Sequence, residues 1–380
     1  MTTQQHGRNS HDEITLGHLE EGAAFTALAR GQQKAPSERQ SLSPSTLPSP
    51  SRLTDNAFAF QRTAAMRAAV GLDVFTAIGE GYGTSAALAD RCGAAERGVR
   101  VLCDFLVAIG LLGLADGRYV AAPDAAAYLD RRSPAFIGDA LNFVTSDSVL
   151  KAVLSDPVAV VRRGGTILDD AEHFIAPDQV DWTTYARGVA PMMARSAIFL
   201  ADLVTSHGGT IERILDVAAG PGQNGIALAR RVPDAHVIAI DWPSVLAIAE
   251  ENARGAGVGE RWNARSGNAL ETELGGPYDV VLIARFLHLL APDQREALLR
   301  RVHAALAPGG RTVAMQIMLN DDRVSPPFAT MMNFNVLATT PSGQVPTVPE
   351  LEALLRSAGF DRLEWHELPD SDERIALAWK

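Results

Sequence analysis

The stretch LDVAAGPGQNGIAL, residues 215–228, sets three glycines, Gly220, Gly222 and Gly225, between an apolar run and a helix-like one. Glycines at this spacing let a chain turn sharply at the end of a strand and bring its backbone close to a ligand. Asp241 closes the next apolar run, AHVIAID, where a carboxylate can accept hydrogen bonds from both hydroxyls of a ribose. A ribose-bearing cofactor follows, and the Gly-x-Gly-x-x-Gly pattern alone suits a nicotinamide dinucleotide or S-adenosylmethionine. Three further features separate the two. Asp216, just ahead of the glycines, suits a cationic amino-acid group and would repel a pyrophosphate. RSGNAL, residues 265–270, sets polar groups where an adenine would lie. Nothing after LAPGGRTV, residues 306–313, restarts a second nucleotide-binding half.

His288, in ARFLHLL, follows another strand-like run, YDVVLIA. That places an imidazole at the carboxyl edge of a sheet, where α/β sites open. Such a group can take the proton of a hydroxyl whose pKa is about 10. The competing reading is a histidine hydrogen-bonded to a carbonyl at the start of a buried helix. Asp321 and Asp322 are adjacent in a loop with no third ligand nearby, so no metal is expected.

These residues require an alternating scaffold to hold them. Strand-length apolar runs (RILDVAA, AHVIAID, YDVVLIA, RTVAMQIM) alternate with helix-like segments from about residue 175 to 380, the rhythm of a parallel sheet covered on both faces. PELEALLRSAGF and RIALAWK add a helix and a closing strand. Upstream, TSAALADRCG reads as a helix capped by Thr84 or Ser85, AAERGVRVLCDFLVAIGLL as an amphipathic helix, and GLADGRYVAAPDA as two strands turning at Asp116-Gly117. Helix, turn, helix and hairpin make a winged-helix pattern. Arg97 and Arg100 on its second helix would serve a DNA reader, but Glu96 and Asp104 accompany them, which favours a structural or dimerising module. Residues 135–200 read as helical. The Ser/Pro-rich stretch ending near residue 52 has too little apolar surface to order and is expected to be a disordered arm. The expected organisation is 1–52 arm, 53–165 winged-helix domain and 175–380 doubly wound α/β domain.

Composition narrows the function classes. Hydrophobic residues make up 47% and charged residues 21%, and the net charge is −11 without a basic block, which argues against nucleic acid. No uninterrupted apolar run reaches membrane-span length and the first residues lack a signal-peptide core, so a cytoplasmic protein without a membrane role is expected. Cys92 and Cys103 read as reduced, apolar residues.

Taken together, LDVAAGPGQNG, AIDWPSVL, YDVVLIARFLHLL and ALAPGGRTV resemble a class I methyltransferase. NDDRVSPPFATMMNFNVLATTPSG resembles the C-terminal part of the family 2 small-molecule O-methyltransferases, which include plant caffeate-type enzymes and bacterial enzymes that decorate antibiotics and pigments. The resemblance spans about residues 55–380. It implies a Rossmann-like catalytic domain, a winged-helix module serving homodimerisation, and S-adenosylmethionine as cofactor. By position it implies that Gly220 and Gly222 abut the cofactor, Asp241 and Trp242 lie at its ribose, Asn268 and Ala269 flank its adenine, Asp216 and Arg285 complete the cradle, and His288 is the base. Phe143, Trp182, Tyr185, Met192, Met193, Met332, Asn333 and Phe334 would roof a flat, aromatic acceptor. Three positions depart from the family's pattern: Leu289 where Asp or His follows the base, Gln316 where an acid orients it, and Arg285 where Asn is common. The expected reaction is O-methylation of an aromatic hydroxyl. Carbon or nitrogen methylation, a DNA-binding regulator and a nicotinamide dehydrogenase are the alternatives.

Overall fold

The computed structural model describes residues 48–169, 182–369 and 371–380. The chain forms two compact units, residues 1–57 and 58–380. In the first, the described residues hold one short exposed helix, α1 (Ser51–Ala57). The expected disordered arm lies almost wholly outside the described residues.

The second unit opens with α2 (Ala59–Gly71), α3 (Val74–Gly79), α4 (Ser85–Cys92) and α5 (Glu96–Ala108). The hairpin β1 (Leu112–Ala115) and β2 (Arg118–Ala121) follows, then α6 (Pro123–Leu129). The local chemistry matches the sequence expectation. The Thr84 hydroxyl accepts the Ala87 N–H to cap α4, and Gly93 closes that helix with φ 62°. In α5 the residues Val99, Cys103 and Leu106 are buried, one stripe at helical spacing. Asp116 and Gly117 both take positive φ, 51° and 72°, as a two-residue turn between strands requires. Arg100 pairs with Asp104 along the exposed side of α5, so the arginine a DNA reader would need is partly neutralised.

Among the described residues there follow α7 (Gly138–Val144), α8 (Asp147–Leu154), α9 (Pro157–Arg163) and the 25-residue α10 (Trp182–Ser206). By length and composition α10 could cross a membrane. Its apolar residues, however, include the core positions Leu200, Ala201 and Val204. It meets α7 at Gly188, where an added Cβ would lie 2.1 Å from the Ala140 nitrogen. Only a glycine admits that approach.

The α/β part runs β3 (Arg213–Val217), α11 (Gln223–Arg231), β4 (His236–Asp241), α12 (Pro243–Gly255), β5 (Trp262–Ser266), β6 (Tyr278–Ala284), α13 (Pro292–Ala305), β7 (Leu306–Ile317), α14 (Pro327–Thr339), α15 (Val348–Ser357), β8 (Arg362–Glu367) and β9 (Glu373–Trp379). One seven-stranded sheet has the order β5-β4-β3-β6-β7-β9-β8. The first five strands are parallel, and β9 runs antiparallel to both of its neighbours, β7 and β8. Alternate residues of the central strands feed two cores. Ile214, Val280 and Val313 face the α10–α12 side, while Leu215, Val281 and Ala314 face the α13–α15 side.

Strand β8, RLEWHE, goes beyond the expected single closing strand. It is the sheet's edge and largely half-buried, so it lacks the apolar run by which the central strands are recognised. Strand order reverses at β3, whose neighbours are β4 on one side and β6 on the other. A crevice opens at the carboxyl ends of such a pair.

Candidate active site

The glycine loop after β3 is built by backbone geometry. Ala218, Gly220 and Gly222 all take positive φ, 53°, 56° and 79°. A Cβ on Gly220 would meet nothing within 4 Å, so that side of the loop is open for close approach. A Cβ on Gly222 would sit 2.9 Å from the Trp262 ring, and one on Gly225 2.9 Å from Asp216 Oδ2. The first glycine thus faces the crevice, while the other two let the loop settle on β5 and β3. The Pro221 carbonyl accepts from Asn252 Nδ2 at 2.8 Å and pins the loop to α12.

Two carboxylates frame this loop. Asp241 Oδ2 accepts the Gly220 N–H at 2.8 Å and Oδ1 the Trp242 N–H at 2.7 Å. Each oxygen keeps a lone pair for a further donor. Burial raises the Asp241 pKa against those two bonds. Asp216 Oδ2 accepts the Gly225 N–H at 3.0 Å, and burial pushes its pKa up to about 8. Asn224, at the start of α11, is buried with an unpartnered Oδ1. A buried carboxylate with no cation beside it among the described residues, an orphaned acceptor and an open glycine backbone fit a cationic, ribose-bearing ligand.

His288 sits in a helical turn, Leu287–Leu289, just beyond β6, and is 6% exposed. Its Nδ1 faces Gln316 Oε1 at 3.4 Å, and Gln316 Nε2 donates to the Ile283 carbonyl at 3.1 Å. That carbonyl can only accept, so the amide nitrogen must face it and the amide oxygen must face the histidine. Nδ1 then carries the proton and Nε2 the free lone pair. Burial pushes the His288 pKa down to about 4, with Arg295 and Arg285 adding to the effect. The imidazole is neutral at neutral pH.

Other expected residues fall into place unevenly. Phe143, Trp182 and Tyr185 form one aromatic cluster, with ring centroids 4.8–5.7 Å apart. Trp182 and Trp242 pack around Ala186, Val245 and Ile248, which joins that cluster to the Asp241 strand end. Met332 and Leu289, the last residue of the histidine turn, pack against one buried cluster, and Asn333 Oδ1 accepts the Val345 N–H at 2.9 Å.

Met193 is buried against Ala140 and Val189, but Met192 is 55% exposed and Phe334 47%. One residue along a helix is a rotation of about 100°, so Met192 and Met193 cannot share a face. Asn268 spends both ends of its amide locally, on Glu271 Oε1 and the Leu270 N–H. Ala269 is buried in the core under β4.

Arg285 departs most from expectation. It holds φ 53°, a strained backbone for a long side chain. Its guanidinium forms a two-pronged ion pair with Glu373, the first residue of β9, and Nη2 also donates to Ser196 Oγ at 3.0 Å. Nη1 is buried without a partner. Glu373 and Ser196 were not singled out in the sequence; they stand 88 and 89 residues from Arg285. Arg285 and Glu373 also act electrostatically on the buried Tyr185 hydroxyl, so the aromatic cluster and the ion pair adjoin.

Comparison with known proteins bears on this arrangement. An O-methyltransferase domain family matches residues 183–361, and an O-methyltransferase dimerisation domain family matches residues 54–131. A solved structure from Nostoc punctiforme PCC 73102, described as a candidate O-methyltransferase, is 38% identical with a TM-score of 0.84, over 88% of this chain and 100% of that one. The chain belongs to the O-methyltransferase family. Enzymes of this family take their methyl group from S-adenosylmethionine, a cationic nucleoside of the kind the loop fits. The methyltransferase is also 28% identical to 3-hydroxy-5-methyl-1-naphthoate 3-O-methyltransferase of Streptomyces sahachiroi, over 82% of this chain and 89% of that protein. It is 28% identical to the tetracenomycin polyketide synthesis 8-O-methyl transferase of Streptomyces glaucescens, over 80% and 88%.

Proposed function

We propose that the methyltransferase methylates the hydroxyl of a small aromatic metabolite, with His288 taking the hydroxyl proton on Nε2. The observation that carries this is the placement of a neutral, buried imidazole at the carboxyl edge of β6, beside the strand that leads into the open glycine loop. S-adenosylmethionine supplies an electrophilic methyl group when bound. Gly220 gives it close backbone approach while Gly222 seats the loop on Trp262, Asp241 receives its ribose, and Asp216 offers a counter-charge. Phe143, Trp182 and Tyr185, packed at interplanar angles of 30–84°, provide an apolar aromatic cluster for the acceptor. Two of the relatives carry names that specify transfer to oxygen in a naphthoate and in tetracenomycin polyketide synthesis.

The protein's remaining work is positioning and water exclusion, the main sources of rate in a displacement at carbon. We read the winged-helix region, expected over 53–165 and matched by the dimerisation family over 54–131, as a homodimerising module, in line with Phe58, Phe60, Val120 and Tyr128 exposed on it. The two unpaired cysteines accord with work in the cytoplasm.

A carbon acceptor is the second reading. It is favoured by Gln316, a neutral partner that lends His288 less basicity than a carboxylate would.

The experiment is a screen of polycyclic phenols with S-adenosylmethionine against wild type and His288→Ala, with the product's methyl position read by NMR. O-methyl product from wild type and a loss of about 10²–10⁴-fold in the variant are expected. C-methyl product, or an undiminished variant, would overturn the oxygen-and-base reading.

A further inference from the structure

A second cluster of chemistry-bearing side chains lies away from the methyl-transfer crevice. His207 follows the last turn of α10, and Glu364 and His366 stand two apart on β8, which puts both on one face of that strand. Nitrogen and oxygen ligand atoms from all three lie within 4.8 Å of one another. Since α10 ends where β3 is about to begin, the cluster sits toward the amino edge of the sheet, opposite the crevice.

The bonds within the cluster are oriented. His207 Nδ1 lies 2.9 Å from the Leu203 carbonyl. A carbonyl only accepts, so Nδ1 carries a proton and Nε2 is the atom presented to Glu364 Oε2, at 2.8 Å. An Nδ1–H held by a carbonyl is the usual support for a metal-bound imidazole. His366 Nε2 approaches the same Oε2 at 3.9 Å, and it is buried with no hydrogen-bond partner. Glu364 divides its oxygens: Oε1 accepts from Arg362 at 2.5 Å, and Oε2 faces the two imidazoles. Arg362 is itself drawn aside over the Trp379 ring, 4.0 Å from its centroid.

We infer that His207, Glu364 and His366 form a structural site for a borderline-soft divalent metal ion of the Zn2+ class, clipping the end of α10 to the edge strand. Two imidazoles and one carboxylate are a donor set such ions accept, at about 2.0–2.2 Å per ligand. Ligand atoms on a tetrahedral ion stand about 3.3–3.6 Å apart, so side-chain adjustments of about 1 Å bring these three into place. The side chains are 18–33% exposed, which leaves a path for the ion and a fourth position for water. Arg362 on the same carboxylate lowers affinity below that of a three-ligand site without a neighbouring cation. Sequence spacing gave no sign of the site, because His207 stands 157 residues before Glu364.

The test uses the full chain without an affinity tag, stripped with chelator and titrated with Zn2+, Co2+ and Mg2+. One Zn2+ per chain by calorimetry, visible d–d bands of four-coordinate Co2+, and a Tm rise of about 3 °C at a hundred-fold excess over Kd are expected, with no response to Mg2+. His366→Asn should weaken Zn2+ binding at least ten-fold and leave methyl transfer unchanged. That variant removes no hydrogen bond, so it keeps the test decisive even where His207→Asn fails to fold. Absence of stoichiometric Zn2+ binding, or binding undiminished in His366→Asn, would overturn the proposal and leave a hydrogen-bonded His207–Glu364 pair only.

Discussion

At the scale of single residues, His288 and Gln316 set the expected chemistry. A base works only when unprotonated, and burial holds the His288 pKa near 4. We therefore expect kcat/KM to stay level as pH falls through 6.5 and to decline only toward about 4, measured as a pH–rate profile with acceptor below KM. Gln316→Glu would place a carboxylate on Nδ1 and should move that acid limb upward; an unmoved limb would count against the pairing. Asp241→Ala should weaken S-adenosylmethionine binding about 10–100-fold by calorimetry, the loss of charge-assisted hydrogen bonds. Gly222→Ala meets both a φ of 79° and the Trp262 ring. It should cost about 1–3 kcal/mol in thermal unfolding and weaken the cofactor as well. The strand-end positions of Gly220, Asp241 and His288 were legible because each sits within a few residues of the apolar run that places it. Glu373 and Ser196 were not, since a partner 88 residues away leaves no mark in local spacing.

At the scale of elements, the ion pair between Arg285 after β6 and Glu373 at the head of β9 is the clearest long-range tie. It lies 9–17% exposed, and it fixes a strained turn directly ahead of His288. Removing one partner strands a buried charge, so Glu373→Ala should lower stability by about 3–5 kcal/mol in chemical denaturation and lower kcat through the displaced turn. The central strands and the winged-helix hairpin were readable because burial on both faces forces continuous apolar runs and because Asp-Gly admits positive φ at both turn positions. Strand β8 was hidden by the same logic. One edge strand, half-solvated, needs no apolar pattern, and the histidine and glutamate on it acquire their neighbour His207 only when α10 is packed beside them.

For the molecule as a whole, two buried titrating groups bound the pH range of the ligand-free protein. His288 binds its proton more weakly folded than unfolded, so its contribution is present above about 6.5 and is lost as pH falls toward 4. Asp216 holds its proton more tightly folded than unfolded, so its contribution is fully present below the ordinary carboxylate pKa of about 4 and is lost progressively as pH rises to about 8. Between about pH 4 and 6.5 the two slopes oppose each other, so thermal unfolding of the ligand-free protein should be nearly level there and fall from pH 6.5 to about 8. Saturating S-adenosylmethionine should flatten the alkaline side, because a bound cation favours the ionised Asp216. Helix α10 spans about 37 Å and carries Trp182 and Tyr185 in its first turn, Ser196 beyond its middle and His207 just past its end. Every one of those contacts depends on the helix keeping its length. A single inserted residue between Gly188 and Ser196 would turn everything downstream by about 100°, detaching Arg285's partner and the leucine face of the core together. Among descendants of this chain, length variation should accumulate in the 321–325 loop and be purged from α10, so the gap pattern of a lineage would trace this helix even after its sequence had diverged.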